Sequence, residues 1–450
     1  MNSPLSLYLS FVLTSIRNED ASNFRNCITI NPGVNEGSLR SSFPEPSEFD
    51  LYPLPEKFRP IIKNYLKLMK SIYILNDIDS SLNDLNEMVN NLNRAADTQT
   101  NWINPALINA STELINVYQV KQKSNPDVEQ QQEDDGTTAS TSSSSSSLEK
   151  LATTINNSFK LSLNDKNLDL KLSKRTDIYF FLGNLIKIYF KLGKLELAKS
   201  VEKALKGTRF DLPPLDNPIP SKKKHSVTYL YYSAMLSLDD SNFVDTESKL
   251  VTAMNLLSYY REPKFITKHM EMILMILIPL RLYNNSLLPT QSTWEKFPNL
   301  KFVYKDCLFK AIIKGDLKSF EKCQSRFQVL FLKRHLYLLV ENLKNLCYLQ
   351  LVKKVARIFS QLSDDKASTH IVPLSAFQVG LEVSTNWKRD QNNSYVAIDP
   401  SQPYSQHLDE IECILANLIF EGKIKGYISH GNKCIVLSKT NAFPTQVVRL

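Results

Sequence analysis

The alternation of apolar and polar positions is clearest between Asp409 and Lys439. Ile411, Ile414, Leu415, Leu418 and Ile419 recur at i, i+3, i+4, i+7 and i+8, the spacing that lays an apolar stripe along one face of a helix. Gly422 follows the last periodic turn, where a glycine commonly lets the chain leave a helix. The period then shortens to that of a strand. Gly426 to His430 and Cys434 to Ser438 are β-prone runs on either side of Gly431-Asn432, a hairpin signal. A helix followed by a hairpin, at the end of a largely helical chain, predicts the closing half of a winged helix with Leu415 and Leu418 in its core.

Upstream, Pro373 to Val383 starts this subdomain, with Ser375 as its N-cap. Residues 386–408 interrupt the usual compact turn and carry Trp387, Lys388, Arg389 and Tyr404; an exposed loop is expected there. Before them the helical period dominates. Ile178, Phe181, Leu182, Leu185, Tyr189 and Leu192 form one face, and Gly193 breaks it before Leu197, Val201, Ala204 and Leu205 form the next. Further helices are predicted over 227–238, 243–257, 265–282, 302–314, 317–327, 330–343 and 346–362, with Gly315-Asp316 as a turn. Helix pairs of this spacing suggest a solenoid of the tetratricopeptide type. Leu5 to Ile16, Phe58 to Leu75 and Ser80 to Leu92 predict an N-terminal helical region.

Composition adds a linker. Residues 124–147 hold one aliphatic residue and end in six serines, too little apolar surface to offset the entropy of ordering. The predicted organisation is an N-terminal helical region (1–123), a disordered acidic and Ser-rich linker (124–149), helical repeats (150–225), a further helical part (226–365) and a winged helix (366–445). The fold class is therefore an all-α helical repeat ending in a winged-helix subdomain with a small β-hairpin. Met270 to Leu280 is the most apolar run, but it is far short of the roughly 20 residues of a membrane span. No targeting segment is evident, and a soluble protein of the nucleus and cytoplasm is expected.

Catalytic signatures are missing. The sequence has no phosphate loop and no Gly-x-Gly-x-x-Gly. Its six His never form a His-x-His or His-x-x-x-His pair that could grip zinc from one face. Six scattered Cys form no Cys-x-x-Cys and read as thiols in a reducing compartment. No cofactor or metal is expected, and an enzyme would need a site assembled from distant residues.

Charge is more informative. The whole chain is +8, whereas Lys301 to Arg357 alone holds 13 Lys and Arg against 4 Asp and Glu, a net of +9. Lys314, Lys318, Lys322 and Arg326 recur at helical spacing, and Lys333, Arg334, Lys353, Lys354 and Arg357 extend the positive surface. RNA, an acidic partner or plain solvation are the three readings of that surface. After Glu421 come Lys423, Lys425, Lys433, Lys439 and Arg449 with no acidic residue. A ribbon bearing lysines can lie against phosphates with little reading of sequence, and Lys388 and Arg389 of the insertion join them as candidates. A base-reading factor is disfavoured, because the helix Asp409 to Glu421 is acidic at both ends and presents no Arg to a groove. Lys222-Lys223-Lys224 is a weak nuclear-import candidate.

The run Glu412 to Ile419, then Gly422, Ile424 to His430 and Ser438-Lys439, resembles the end of a PCI domain. It is most similar to the COP-nine signalosome subunit twelve-like proteins and the PCI subunit of the nuclear transcription-and-export complex. Phe181 to Leu205 and Lys314 to Phe359 share the resemblance. Asn441-Ala442-Phe443-Pro444 departs slightly from the family's Asn-Pro-Phe-Pro. The resemblance implies a non-catalytic scaffold that pairs with a second PCI protein and a small acidic disordered subunit shared with the proteasome lid. It implies that the paired winged helices bind RNA or DNA in mRNA biogenesis: transcription-coupled processing, splicing and nuclear export. The alternative is a peripheral subunit of the signalosome, acting in removal of a ubiquitin-like modifier from cullins.

Overall fold

The computed structural model describes residues 4–124, 141–217, 219–258, 263–363, 369–389, 395–397 and 408–444. The chain divides into two compact units, Met1–Leu236 and Ser237–Leu450.

The first unit is helical throughout its described residues: α1 (Pro4–Arg17), α2 (Ala21–Cys27), α3 (Val34–Ser41), α4 (Glu48–Leu51), α5 (Arg59–Tyr73), α6 (Ile78–Ala96), α7 (Asn104–Ser124), α8 (Thr141–Leu163), α9 (Ile178–Leu192), α10 (Leu195–Lys206) and α11 (Pro220–Asp239). Its centre is α6, whose Leu85, Met88, Val89 and Leu92 are fully buried among α5, α7 and α8. The α9–α10 pair is the predicted helical hairpin, and Gly193 takes the left-handed conformation (φ 67°) between them. The linker reading needs correction at its end. It runs to 149, but the chain is helical from Thr141. Leu148, Leu151, Ala152 and Ile155 are buried, and a helix nucleated by that stripe extends cheaply into the serines before it. Residues 125–140 lie outside the described residues.

The second unit begins with α12 (Phe243–Leu257), α13 (Pro263–Asn285), α14 (Gln291–Lys296) and α15 (Pro298–Leu300). A π-helix (Lys301–Phe309) leads into α16 (Lys310–Lys314), α17 (Leu317–Arg326), α18 (Gln328–Lys333) and α19 (Tyr337–Leu362). The apolar run at Met270 lies in α13, where Ile273, Ile276, Leu277 and Leu280 are buried. Among the described residues no helix is long and apolar enough to cross a membrane.

Two helices were expected over 330–343 and 346–362, and the structure differs. The break comes earlier, at His335 (φ 55°), and α19 then runs unbroken. Lys344 and Asn345 look like a polar interruption, yet both find partners. Lys344 Nζ lies 2.9 Å from Glu321, and Asn345 Nδ2 donates to Glu421 at 3.0 Å. Gly315 closes α16 with φ 62°. A Cβ there would meet the backbone N of Leu351 at 2.8 Å, so both conformation and close approach to α19 require glycine. Ser384 Oγ seals the same corner, donating to Gly315 O and accepting from Leu317 N, each at 2.9 Å.

The winged helix follows as β1 (Ile371–Pro373), α20 (Leu374–Asn386), β2 (Trp387–Arg389), β3 (Tyr395–Ala397), α21 (Leu408–Phe420), β4 (Gly426–Ser429) and β5 (Cys434–Leu437). β1, β5 and β4 form one antiparallel sheet in that order, with Val372 opposite Ile435 and Ile428 opposite Ile435 from the other side. Leu374, Phe377, Leu381, Ile411, Leu415, Leu418 and Ile435 build its core. The predicted stripe therefore faces inward.

Three details differ from the sequence reading. α20 starts at Leu374, which puts Ser375 inside the first turn and not at its cap. The insertion is more than a loop, since β2 and β3 pair antiparallel with Lys388 opposite Val396; residues 390–394 and 398–407, Tyr404 included, lie outside the described residues. The hairpin turn is not Gly431-Asn432 alone. The pair Ser429–Cys434 closes a four-residue loop, and its left-handed position is Lys433 (φ 48°).

Candidate nucleic-acid interface

The exit from α21 fixes the base of the ribbon. Gly422 is left-handed (φ 69°). Its N–H bonds Ile419 O, and the Lys423 N–H reaches back to Leu418 O, each at 2.9 Å, a doubly bonded helix end. This geometry turns Lys423 inward. Its side chain is 11% exposed, 2.5 Å from Glu421 Oε2, and its ammonium lies 5.3 Å from the centroid of Tyr283 on α13. No well-directed hydrogen bond reaches Nζ, so the ion pair and the ring face are what compensate the charge. Lys423 was expected at the surface; the structure corrects this.

Lys433 is half-exposed but engaged. It lies 3.1 Å from Glu412 and 3.5 Å from Asp409 on α21. His430 Nδ1 sits 2.7 Å from the other Glu412 oxygen. The acidic start of α21 thus fastens the wing as well as opposing the helix dipole. His430, expected on a strand, stands in the loop after β4. The hydrogen bonds from His430 and then Lys433 hold the Glu412 carboxyl below its usual range, and the bond to Glu412 raises Lys433. A depressed carboxylate pKa contributes stability at higher pH and loses it as pH falls through the folded value. The wing is therefore expected to loosen below the ordinary glutamate value of about 4.3. Amide exchange of residues 431–433, corrected for its intrinsic pH dependence, should rise there in the native chain. It should be high and pH-independent in Glu412→Gln; a flat native profile would contradict the fastening.

Lys425 and Lys439 are exposed, and no carboxylate among the described residues pairs with them. Lys425 shares a face of the ribbon with Tyr427 two residues on, and Tyr427 is 63% exposed. Phe420, at the end of α21, is 91% exposed. Neither aromatic was singled out from sequence. The available signal was that Phe420 falls off the apolar stripe. Arg449 lies outside the described residues, and Lys388 and Arg389 are placed only by their backbone in β2.

Residues 324–439 match the PCI domain family. A protein of Debaryomyces hansenii named Protein CSN12 homolog is 62% identical over 445 residues, covering 99% of this chain and 99% of that relative. The chain belongs to the CSN12 family of PCI-domain proteins. A Yarrowia lipolytica protein of the same name is 31% identical over 78% of each chain. PCI domain-containing protein 2 of Danio rerio is 29% identical over 66% of this chain and 64% of its own length. The expected PCI fold is thereby borne out. A PCI domain marks a scaffold-type subunit of multi-subunit complexes, and no catalytic family is indicated.

The basic helices of this PCI protein divide by what holds each cation. Lys314, Lys318, Lys322 and Arg326 do not form one stripe, because the Gly315 turn puts Lys314 on α16 and the rest on α17. Lys318, Lys322 and Arg326 remain in line at i, i+4 and i+8. Arg326 stacks on Phe302 and Phe327, with its guanidinium 4.8 and 5.4 Å from the ring centroids. Lys354 caps α16, donating to Lys314 O at 2.5 Å. Burial pushes the Lys353 pKa down, and its ammonium lies 5.7 Å from the Phe443 ring. Lys322, Lys333 and Arg357 are exposed, and Arg334 is half-buried. The Lys222 cluster is tied down: Lys222 lies 3.5 Å from Asp177 and Lys223 3.2 Å from Asp216.

Proposed function

We propose that this chain is a non-catalytic PCI subunit that pairs with a second PCI protein and a small acidic disordered subunit, and that the assembly binds nucleic acid during mRNA biogenesis. The observation that carries the reading is the outer face of the ribbon. Lys425 and Lys439 stand exposed beside a wing whose other lysines are engaged, and Tyr427 is exposed on β4, which begins directly after Lys425. Cations that track phosphates and aromatic faces that stack on bases are the two elements of sequence-tolerant single-strand binding. The net +9 of residues 301–357 suits an acidic partner segment or the same nucleic acid. Work in transcription-coupled processing, splicing and export fits residence in the nucleus and cytoplasm.

The test is a salt titration of single-stranded RNA binding by the native complex. Lys425→Glu with Lys439→Glu should lower affinity and reduce the slope of log K against log salt by about 1.4, at roughly 0.7 for each phosphate no longer neutralised. An unchanged slope would remove the ribbon from the interface. The relatives' name, CSN12 homolog, favours a second reading, a peripheral subunit of the COP-nine signalosome acting in cullin modification.

A further inference from the structure

Ser142 to Ser147 form an unbroken run in the first turns of α8, and one of the six has a carboxylate three residues on. That one is Ser146, followed at this spacing by Glu149; the others meet a serine, Leu148 or Lys150 there. Ser146 is exposed. We propose that Ser146 is a phosphorylation site for an acidophilic serine/threonine kinase, and that the phosphate is then held by Lys150 and Lys194. Kinases select substrates by the charges that flank the hydroxyl. Serine is a modest helix former that favours caps and turns, so a helix end of this composition opens to an enzyme at low cost. In the step, Ser146 Oγ attacks the γ-phosphorus of ATP, the bond to the β-phosphate oxygen breaks, ADP leaves, and the hydroxyl proton passes to the kinase's catalytic carboxylate.

Cations surround this position independently of the motif. The Lys194 ammonium, just past the end of α9, lies 2.7 Å from Glu149 Oε1. Glu149 and Lys150 follow Ser146 by three and four residues, spacings that make side chains neighbours on a helix. A phosphate on Ser146 therefore falls between Lys150 on its own helix and Lys194 across from it. Behind them, Lys187 and Lys191 of α9 line a narrow slot with Leu148 and Leu151. Burial, and then the Lys191 charge, push the Lys187 pKa down, the mark of cations short of partners. Among the described residues Glu149 is the only carboxylate paired with any of these four lysines.

Four lysines and one glutamate leave this corner three charges positive, and a phosphoserine brings about −1.5 to −2 with three acceptor oxygens. A partner's carboxylate would bring one charge and two oxygens. Ser147 does not share the role: it is half-buried, and Lys150 stands where an acidophilic kinase reads an acid.

The test is phosphorylation of the full-length chain by casein kinase 2 with ATP, read by site-resolved mass spectrometry. Ser146 should take up phosphate at least about tenfold faster than any other serine of the run, and Glu149→Gln should remove that preference. The phosphorylated chain is then titrated by phosphorus NMR. Neighbouring ammoniums favour the dianion, so the phosphoserine should reach its second ionisation at lower pH in the native chain than in the chain carrying Lys150→Gln and Lys194→Gln. Glu149, Lys150 and Lys194 are exposed, and these variants should melt as the native chain does. If the double variant melts early, Lys150→Gln alone gives the same comparison. No phosphate on Ser146, equal uptake along the run, a preference that survives Glu149→Gln, or the same titration in native and variant chains would each overturn the proposal.

Discussion

Leu415→Asp is expected to unfold the winged helix. Leu415 is 1% exposed, between Ile411 and Leu418 on the inner face of α21. Removing the leucine side chain alone costs about 2–5 kcal/mol, and an unpaired carboxylate in that core adds a further desolvation cost. Against a domain stability of about 5–15 kcal/mol, the subdomain should lose its cooperative melt. Asn417→Asp, two residues on and exposed, should change stability by no more than about 0.5 kcal/mol. Urea denaturation of both variants separates the cases. A soluble Leu415→Asp chain with native melting would show that α21 faces the other way.

Lys423→Glu is expected to cost about 1–3 kcal/mol, because it puts a carboxylate with no partner where a buried ammonium now sits. The substitution sets two carboxylates together, with Glu421 2.5 Å from the present ammonium, and removes the cation from the Tyr283 ring. Lys423→Met should cost far less, because it fills the space without a charge. Lys425→Glu, two residues on and exposed, should melt like the native chain. A combined reversal of Lys423, Lys425 and Lys433 would thus mix a folding defect with any loss of nucleic-acid binding. Equal melting of Lys423→Glu and the native chain would return Lys423 to the surface.

These two substitutions also show what the sequence could reveal. The facing of α21 and its exit at Gly422 were legible, because both depend on residues within a few turns of each other. The burial of Lys423 was not, because the ring that covers it lies far back at Tyr283, and Lys-Ile-Lys reads as a solvated strand. Lys433 is engaged by Glu412 across the turn of the winged helix, a pairing that depends on tertiary placement. The same cause hid the continuity of α19, whose polar positions Lys344 and Asn345 are satisfied by Glu321 and Glu421. Helix existence followed local period; the state of each cation followed neighbours that only the fold supplies. Phe420 and Tyr427 are concealed for a different reason. An aromatic next to an apolar stripe is read as core unless its phase is checked.

As proposed above, this PCI protein works as one subunit of a nucleic-acid-binding assembly. The most direct test is affinity purification of the native chain from cells, with mass spectrometry of the co-eluting proteins and of bound RNA. The account predicts one further PCI protein and a small acidic protein in equal amounts, together with RNA that is released on raising salt. Several PCI subunits that co-elute with an activity removing the ubiquitin-like modifier from cullins, and no RNA, would contradict it and favour the signalosome reading. Elution of the chain alone would contradict both.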